Sequence, residues 1–137
     1  KNSRTYEDLQ WRAEISPSSK NLSEPFLHVM AVMDQDEVEP SVEKIIDDNL
    51  AGVKILDRVI LFDKNGNAVT DASFELKGDQ IFKILLCDIL PGEWEVNSNG
   101  KYLGTFTASE KSKNIYFNAE GGRINIRHVS SLNIATK

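Results

Sequence analysis

The sequence has very little cysteine, because Cys87 is the only one among 137 residues. A single cysteine excludes an intrachain disulfide, so the fold must be held together by its core. Cys87 ends the apolar run 81–87, where a free cysteine behaves as a small hydrophobic side chain. We therefore expect a buried structural cysteine, and a reactive thiol is the less favoured alternative.

Long hydrophobic runs and an excess of basic residues are also missing. No apolar stretch approaches the ~20 residues that cross a bilayer, and no signal peptide is visible. The 16 Lys and Arg residues are outnumbered by 21 Asp and Glu, giving a net charge of −5. Nucleic acid and acidic membrane surfaces are bound by basic faces, so neither a nucleic-acid partner nor a membrane span is predicted. Because the chain begins at Lys1 instead of Met, we expect a fragment of a longer multidomain protein.

Motifs that carry catalysis are absent as well. The sequence has no nucleophile elbow, no activated-cysteine motif and no phosphate-binding glycine loop. Of its two histidines, His28 lies inside the apolar run 26–33, where a core histidine is favoured over a catalytic one. His128 ends a predicted strand beside Arg127, where a solvated edge position is expected. Neither histidine has a second ligand at the spacing of a metal site.

Two acidic or amide-rich stretches could ligate a hard cation. The first contains Asp34, Asp36, Glu37 and Glu39, and the second, 63–67, is similar to the start of a calcium-binding loop. That loop needs glycine at its sixth position and glutamate at its twelfth, whereas the glycine here falls at the fourth. Plain turn chemistry is the favoured interpretation, and neither a metal site nor a cofactor is predicted.

What the sequence does have is a regular succession of short apolar runs, each followed by residues typical of turns. Asparagine and glycine reach the positive φ angles that tight hairpins require. Asn99 and Gly100 therefore close the clearest predicted hairpin, between 93–96 and 101–108. A second hairpin is predicted around Gly121 and Gly122, and a turn is predicted at Gly78 and Asp79.

The N-terminal third contains three further apolar segments. Residues 9–15 alternate between apolar and charged or polar side chains, which predicts a half-buried strand. Residues 26–33 are apolar at nearly every position, which predicts a central strand covered on both faces, with a buried helical turn as the alternative. Residues 42–48 fit helical spacing as well as strand spacing.

These segments add up to ten to twelve strands and no helix. The predicted fold class is all-β, an antiparallel β-sandwich of two packed sheets. The whole chain, 1–137, is expected to form a single β-sandwich domain, with 1–8 as a polar lead-in and 130–137 as a tail or a final edge strand.

The aromatic side chains are the strongest functional lead among the residues themselves. Trp11, Trp94, Tyr102 and Tyr116 could form a flat platform on which the C–H face of a sugar ring packs. The alternation of both tryptophans with charged neighbours favours core positions over such a platform. Tyr116 lies between Ile115 and Phe117 and is the aromatic most expected to be exposed. The candidate carbohydrate-binding residues are Tyr116, Tyr102 and Trp94.

Several stretches taken in order resemble the C-terminal β-domain of heparinase II/III-like polysaccharide lyases. The resemblance extends over roughly residues 9–129, and the order of the matching pieces is more specific than any single piece. The matching pieces are residues 11–17, 25–30, 52–55, 57–62, 86–96 and 115–122.

The resemblance implies a bacterial, secreted or periplasmic enzyme that cuts uronic-acid polysaccharides such as heparin or heparan sulfate by β-elimination. In that family the catalytic groups lie mainly in a helical toroid and a central β-domain, neither of which is contained in these 137 residues. No catalytic residue is therefore carried over to this chain. The implied role is a non-catalytic accessory domain whose partners are the catalytic domains of the same polypeptide and, secondarily, the polysaccharide. A free-standing carbohydrate-binding module and a surface protein-interaction domain remain the alternatives.

Overall fold

The computed structural model describes residues 15–16, 26–64, 66 and 69–129. The part of the chain so described is built from strands, which confirms the all-β prediction. The predicted strand 9–15, apart from Ile15, and the predicted tail 130–137 lie outside the described residues. The strands are β1 (Val42–Ile46), β2 (Leu50–Ile55), β3 (Arg58–Asp63), β4 (Asp71–Cys87), β5 (Gly92–Ser98), β6 (Lys101–Ala108) and β7 (Asn114–Val129).

The seven strands form one mixed sheet in the order β1-β2-β3-β4-β7-β5-β6. Every pair of neighbours is antiparallel except β3 and β4, which run parallel with Arg58 opposite Lys83. The prediction of purely antiparallel pairing is therefore wrong at this one pair, and one continuous sheet replaces the two predicted sheets. The parallel pair arises because β3 pairs with residues 83–87 in the second half of β4, whereas β4 begins twelve residues earlier, at Asp71.

The predicted hairpin at Asn99 and Gly100 is confirmed. Both residues have positive φ, 51° and 78°, which is the combination that a two-residue hairpin turn of the primed type needs. Their strands pair with Trp94 opposite Phe106 and Ser98 opposite Lys101.

The predicted hairpin at Gly121 and Gly122 is wrong, and so is the predicted turn at Gly78. Strand β7 continues through both glycines, and β4 continues through Gly78. The two strands pair with each other on either side of this point, and the register shifts between Leu76 and Ile81. The glycines allow a close crossing, because a Cβ on Gly121 would overlap the carbonyl oxygen of Gly78. The sequence predicts turns at these sites because glycine is favoured both in a turn and in a sharp bend within a strand.

At this crossing the long β4–β7 ribbon bends, and the sheet folds back on itself. Trp94 pairs with Phe106 on one side and with His128 on the other. Phe106 is therefore aligned with His128, close to the C-terminal end of β7. A straight strand would place Phe117, eleven residues earlier on β7, about 35 Å away from His128. Instead, the rings of Phe106 and Phe117 are 5.5 Å apart between centroids. The inner faces of the two halves of the sheet are therefore in contact.

Both halves of the bent sheet contribute to one hydrophobic core. Along each strand the buried positions alternate with exposed or half-buried ones, as the pleat of a sheet requires. The largest fully buried side chains are Trp94, Phe82, Leu50, Leu61, Leu76, Ile84, Leu86, Ile89, Ile124, Ile126, Val59 and Val96.

The prediction of a central strand at 26–33 is wrong. This segment pairs with no strand, and it lies against the outer side of β1 and β2, where it lines clefts with Val42, Val53 and Ile55. The segment itself stays exposed, since Met30 is 90% and Val32 is 93% exposed. It is therefore apolar at nearly every position without being buried.

Replacing Gly121 with alanine tests the crossing. We expect Gly121→Ala to lower the free energy of unfolding by about 3 kcal/mol, because the new methyl group meets backbone that no rotamer change moves away. The matched control is Glu120→Ala at the neighbouring exposed position, with an expected change within about 0.5 kcal/mol. Urea denaturation followed by tryptophan fluorescence measures both, and equal effects of the two substitutions would contradict the crossing.

Candidate functional site

The two histidines lie in different surroundings and have no partner in common. His28 is exposed, contrary to the prediction of a core position, and stacks on Phe26 with 5.7 Å between the ring centroids. His128 is half-buried, packs 5.1 Å from the Trp94 ring, and has Nε2 3.0 Å from the carbonyl oxygen of Pro91. No carboxylate pairs with either histidine among the described residues, so neither forms an acid–base pair there.

The carboxyl groups whose pKa is shifted belong to surface ion pairs. A hydrogen bond from Lys54 Nζ, 2.6 Å from Oε2, lowers the pKa of Glu43. A hydrogen bond from Lys83 Nζ, 2.6 Å from Oδ2, lowers the pKa of Asp57. Both pairs are explained by local charge, so these shifts do not indicate a catalytic cluster.

Cys87 is half-buried at the end of β4. Burial, followed by the charge of neighbouring Asp88, raises the pKa of its thiol. A thiol with a raised pKa carries little thiolate at neutral pH, so the side chain is a poor nucleophile. This agrees with the expected structural role, although Cys87 is less buried than predicted.

The three candidate carbohydrate-binding residues do not come together. Trp94 is fully buried, and its indole N–H donates to the carbonyl oxygen of Leu90 at 2.8 Å, so it is unavailable to a glycan in this fold. Tyr102 is 56% and Tyr116 is 55% exposed. Since the inner faces of the two halves meet in the core, these tyrosines point away from each other on opposite outer faces of the bent sheet.

The acidic stretches behave as turns where the structure describes them. The backbone N–H of Glu37 donates to the carbonyl oxygen of Asp34, and the N–H of Asp34 donates to Oε2 of Glu37. In the second stretch, Asn65 and Asn67 lie outside the described residues. Within the described ranges, no three His, Cys, Asp or Glu side chains are grouped so as to hold a metal ion. The same ranges contain no helix with the length and hydropathy to cross a membrane.

One outer face of the bent sheet, formed by β1–β3, the second half of β4 and the first half of β7, is largely apolar. Its charged members are the basic Lys44, Arg58 and Lys83 and the acidic Glu120, which lies at the end next to the crossing. Segment 26–33 lies against part of it, next to β1 and β2. We call this surface the apolar outer face, and its apolar members are Val42, Ile46, Ala51, Val53, Ile55, Ile60, Phe62, Ile81, Leu85, Cys87 and Tyr116.

The opposite outer face, formed by the first half of β4, the second half of β7, β5 and β6, is polar. Arg127 pairs with Glu95 on it at 2.7 Å between Nη2 and Oε2. We call this surface the polar outer face, and its members are Asp71, Ser73, Glu75, Lys77, Glu93, Glu95, Asn97, Tyr102, Thr105, Thr107, Arg123, Asn125 and Arg127.

Sequence reasoning finds neither face, although the apolar one has a visible signal. Strands β2 and β3 and the run 81–87 carry apolar residues at both odd and even positions, a pattern typical of strands covered on both sides. The contrast between the two faces depends on the bend, and the sequence pattern does not reveal which strands lie on which side of it.

The fold and its surfaces define an all-β domain whose described residues assemble no catalytic cluster. A family model described as the heparinase II C-terminal domain matches residues 44–128, which span almost all of the seven-stranded sheet. The chain therefore belongs to the heparinase II C-terminal domain family. A search of curated proteins finds no match.

Proposed function

We propose that the chain is a non-catalytic accessory domain of a secreted or periplasmic bacterial polysaccharide lyase that acts on uronic-acid polysaccharides of the heparin or heparan sulfate type. Its role is to brace the catalytic domains of the same polypeptide by docking its apolar outer face on them. The family match supports the parent enzyme class. The single observation that supports docking is the contrast between the two outer faces of the sheet.

The apolar outer face has the composition of an interface core. A solvated face of an antiparallel sheet normally carries polar side chains, as the polar outer face does. Here Val53, Ile60 and Leu85 lie side by side on adjacent strands and are only half-buried. Contiguous apolar surface of this kind is typical of a protein-interaction site.

The N-terminal segment extends the same apolar surface. Most of the exposed large hydrophobic side chains of the described residues lie between Ile15 and Ile46. Residues 26–43 precede the family match, so the exposed apolar side chains are concentrated where the chain enters the domain. A preceding domain of the same polypeptide is therefore well placed to cover both the segment and the face.

The described residues also supply little that β-elimination needs. The reaction requires a base beside the proton next to the uronate carboxylate, together with a group that neutralises the carboxylate charge. The hydroxyl of Tyr102 is 2.7 Å from Thr105 Oγ1, and His128 is held against Pro91. Tyr116 lies among apolar side chains on the opposite face, away from both.

A lyase assay on the purified chain tests the non-catalytic role. We expect no growth of unsaturated-uronide absorbance with heparin, heparan sulfate or alginate, because the described residues bring no base and charge-neutralising group together. A catalytically active lyase measured in parallel controls for the substrates and the detection. Turnover by the purified chain that is lost on Tyr102→Phe, Tyr116→Phe or His128→Gln would contradict the proposal.

Alkylation of Cys87 tests the docking, because this sole cysteine of the chain lies on the apolar outer face beside Phe62. We expect iodoacetamide to modify Cys87 at least about tenfold more slowly in the parent polypeptide than in the isolated chain, since docking covers the thiol. Peptide mass spectrometry measures the rate at this one position.

Two charge substitutions provide the matched comparison for this experiment. Ile60→Glu places a carboxylate in the apolar outer face, and in the parent polypeptide it should restore the rate of Cys87 alkylation towards that of the isolated chain. Thr105→Glu places the same group on the polar outer face and should leave the protection unchanged. Equal alkylation rates in the parent and the isolated chain would show that this face is not the docking surface.

A further inference from the structure

We propose that the polar outer face binds an uncharged oligosaccharide along a row of three side chains, Tyr102, Asn97 and Asn125. This inference goes beyond the accessory role. It does not depend on docking, because it uses the opposite face of the sheet.

The pairing of the strands places the three residues side by side. Tyr102 on β6 lies opposite Asn97 on β5, and Asn97 lies opposite Asn125 on β7. Directly paired residues point to the same side of a sheet, and adjacent strands are about 4.8 Å apart. The row therefore spans about 10 Å across three strands, which suits a short oligosaccharide lying perpendicular to the strands.

Tyr102 provides a fixed apolar surface at one end of the row. Its ring is 56% exposed, and its hydroxyl is 2.7 Å from Thr105 Oγ1, three residues along the same strand. This hydrogen bond restrains the ring, which reduces the conformational entropy that binding would remove. An exposed and restrained aromatic ring suits the C–H face of a pyranose.

The other two residues of the row provide hydrogen-bonding groups that the described residues do not use. The side chains of Asn97 and Asn125 make no hydrogen bond to another described residue, and each amide carries two donors and an acceptor oxygen. Asn99 is a contrast, because its amide donates to the Gly121 carbonyl at 2.9 Å and accepts from the Arg123 N–H at 2.9 Å. Asn99 is structural, whereas Asn97 and Asn125 remain available for sugar hydroxyl groups.

The charge of the face selects an uncharged ligand. Four carboxylates, from Asp71, Glu75, Glu93 and Glu95, face outward here against the ammonium group of Lys77 and two guanidinium groups. One of the two guanidinium groups, that of Arg127, is already paired with Glu95. A net acidic surface repels a sulfated or uronate-rich chain, so the row fits neutral sugars better than the polyanion on which the parent enzyme is proposed to act.

Titration of the isotope-labelled chain with sugars tests the proposal by nuclear magnetic resonance. The probes are cellohexaose, laminarihexaose and mannohexaose, with a heparin hexasaccharide as the charged comparison. We expect at least one neutral probe to shift the amide resonances of Asn97, Tyr102 and Asn125, and the heparin probe to leave them unshifted. No shift with any neutral probe, or shifts with heparin alone, would overturn the proposal.

The two exposed tyrosines provide matched variants. Tyr102→Ala and Asn125→Ala should each weaken binding of the neutral probe at least about fivefold, because each removes a direct contact. Tyr116→Ala removes an equally exposed ring from the apolar outer face and should leave the affinity unchanged. A comparable loss in Tyr116→Ala would place the sugar elsewhere and refute the row. Alkylation of Cys87 reports on docking by the apolar outer face. It therefore distinguishes failure of the docking proposal from failure of the sugar-binding proposal.

Discussion

The close approach of Gly121 to the carbonyl of Gly78 is the constraint on which the rest of the structure depends. A 17-residue strand paired with a 16-residue strand would make an extended ribbon, and such a ribbon cannot enclose a core by itself. Because glycine lacks a Cβ, the two backbones can cross closely and the ribbon can bend. Asn99, in the β5–β6 turn, stabilises this crossing through side-chain hydrogen bonds to the backbone of Gly121 and Arg123.

The bend also determines the two surfaces that the domain offers. Once the inner faces meet through contacts such as that of Phe106 with Phe117, the two outer faces point in opposite directions. One face is apolar and continuous with segment 26–33, which suits attachment to a larger protein. The other is polar and net acidic, and it carries unpaired amides beside Tyr102. An accessory domain of this form can be attached by one face while the other stays open to solvent and sugars.

Much of the local structure is predictable from the sequence, whereas the arrangement in space is less so. The alternation of apolar and polar residues predicts the strands from β2 to β7, and Asn99–Gly100 predicts the hairpin. Both signals come from residues that are neighbours in the sequence. The bend is predicted as two turns because glycine is favoured both in a bend within a strand and in a turn between strands. The segment 26–33 is misread as a central strand, since an exposed apolar run has the same composition as a buried one. The row Tyr102–Asn97–Asn125 depends on the order of the strands in the sheet, which local sequence patterns do not predict.

The most direct test of the bent sheet is a nuclear Overhauser measurement between the ring protons of Phe106 and Phe117 in the isolated chain. The two centroids are 5.5 Å apart, so the account predicts a clear cross-peak between rings that belong to different halves of the sheet. Assigned rings with no cross-peak, together with cross-peaks that follow an unbent β4–β7 ribbon, would contradict the fold-back and both outer faces derived from it.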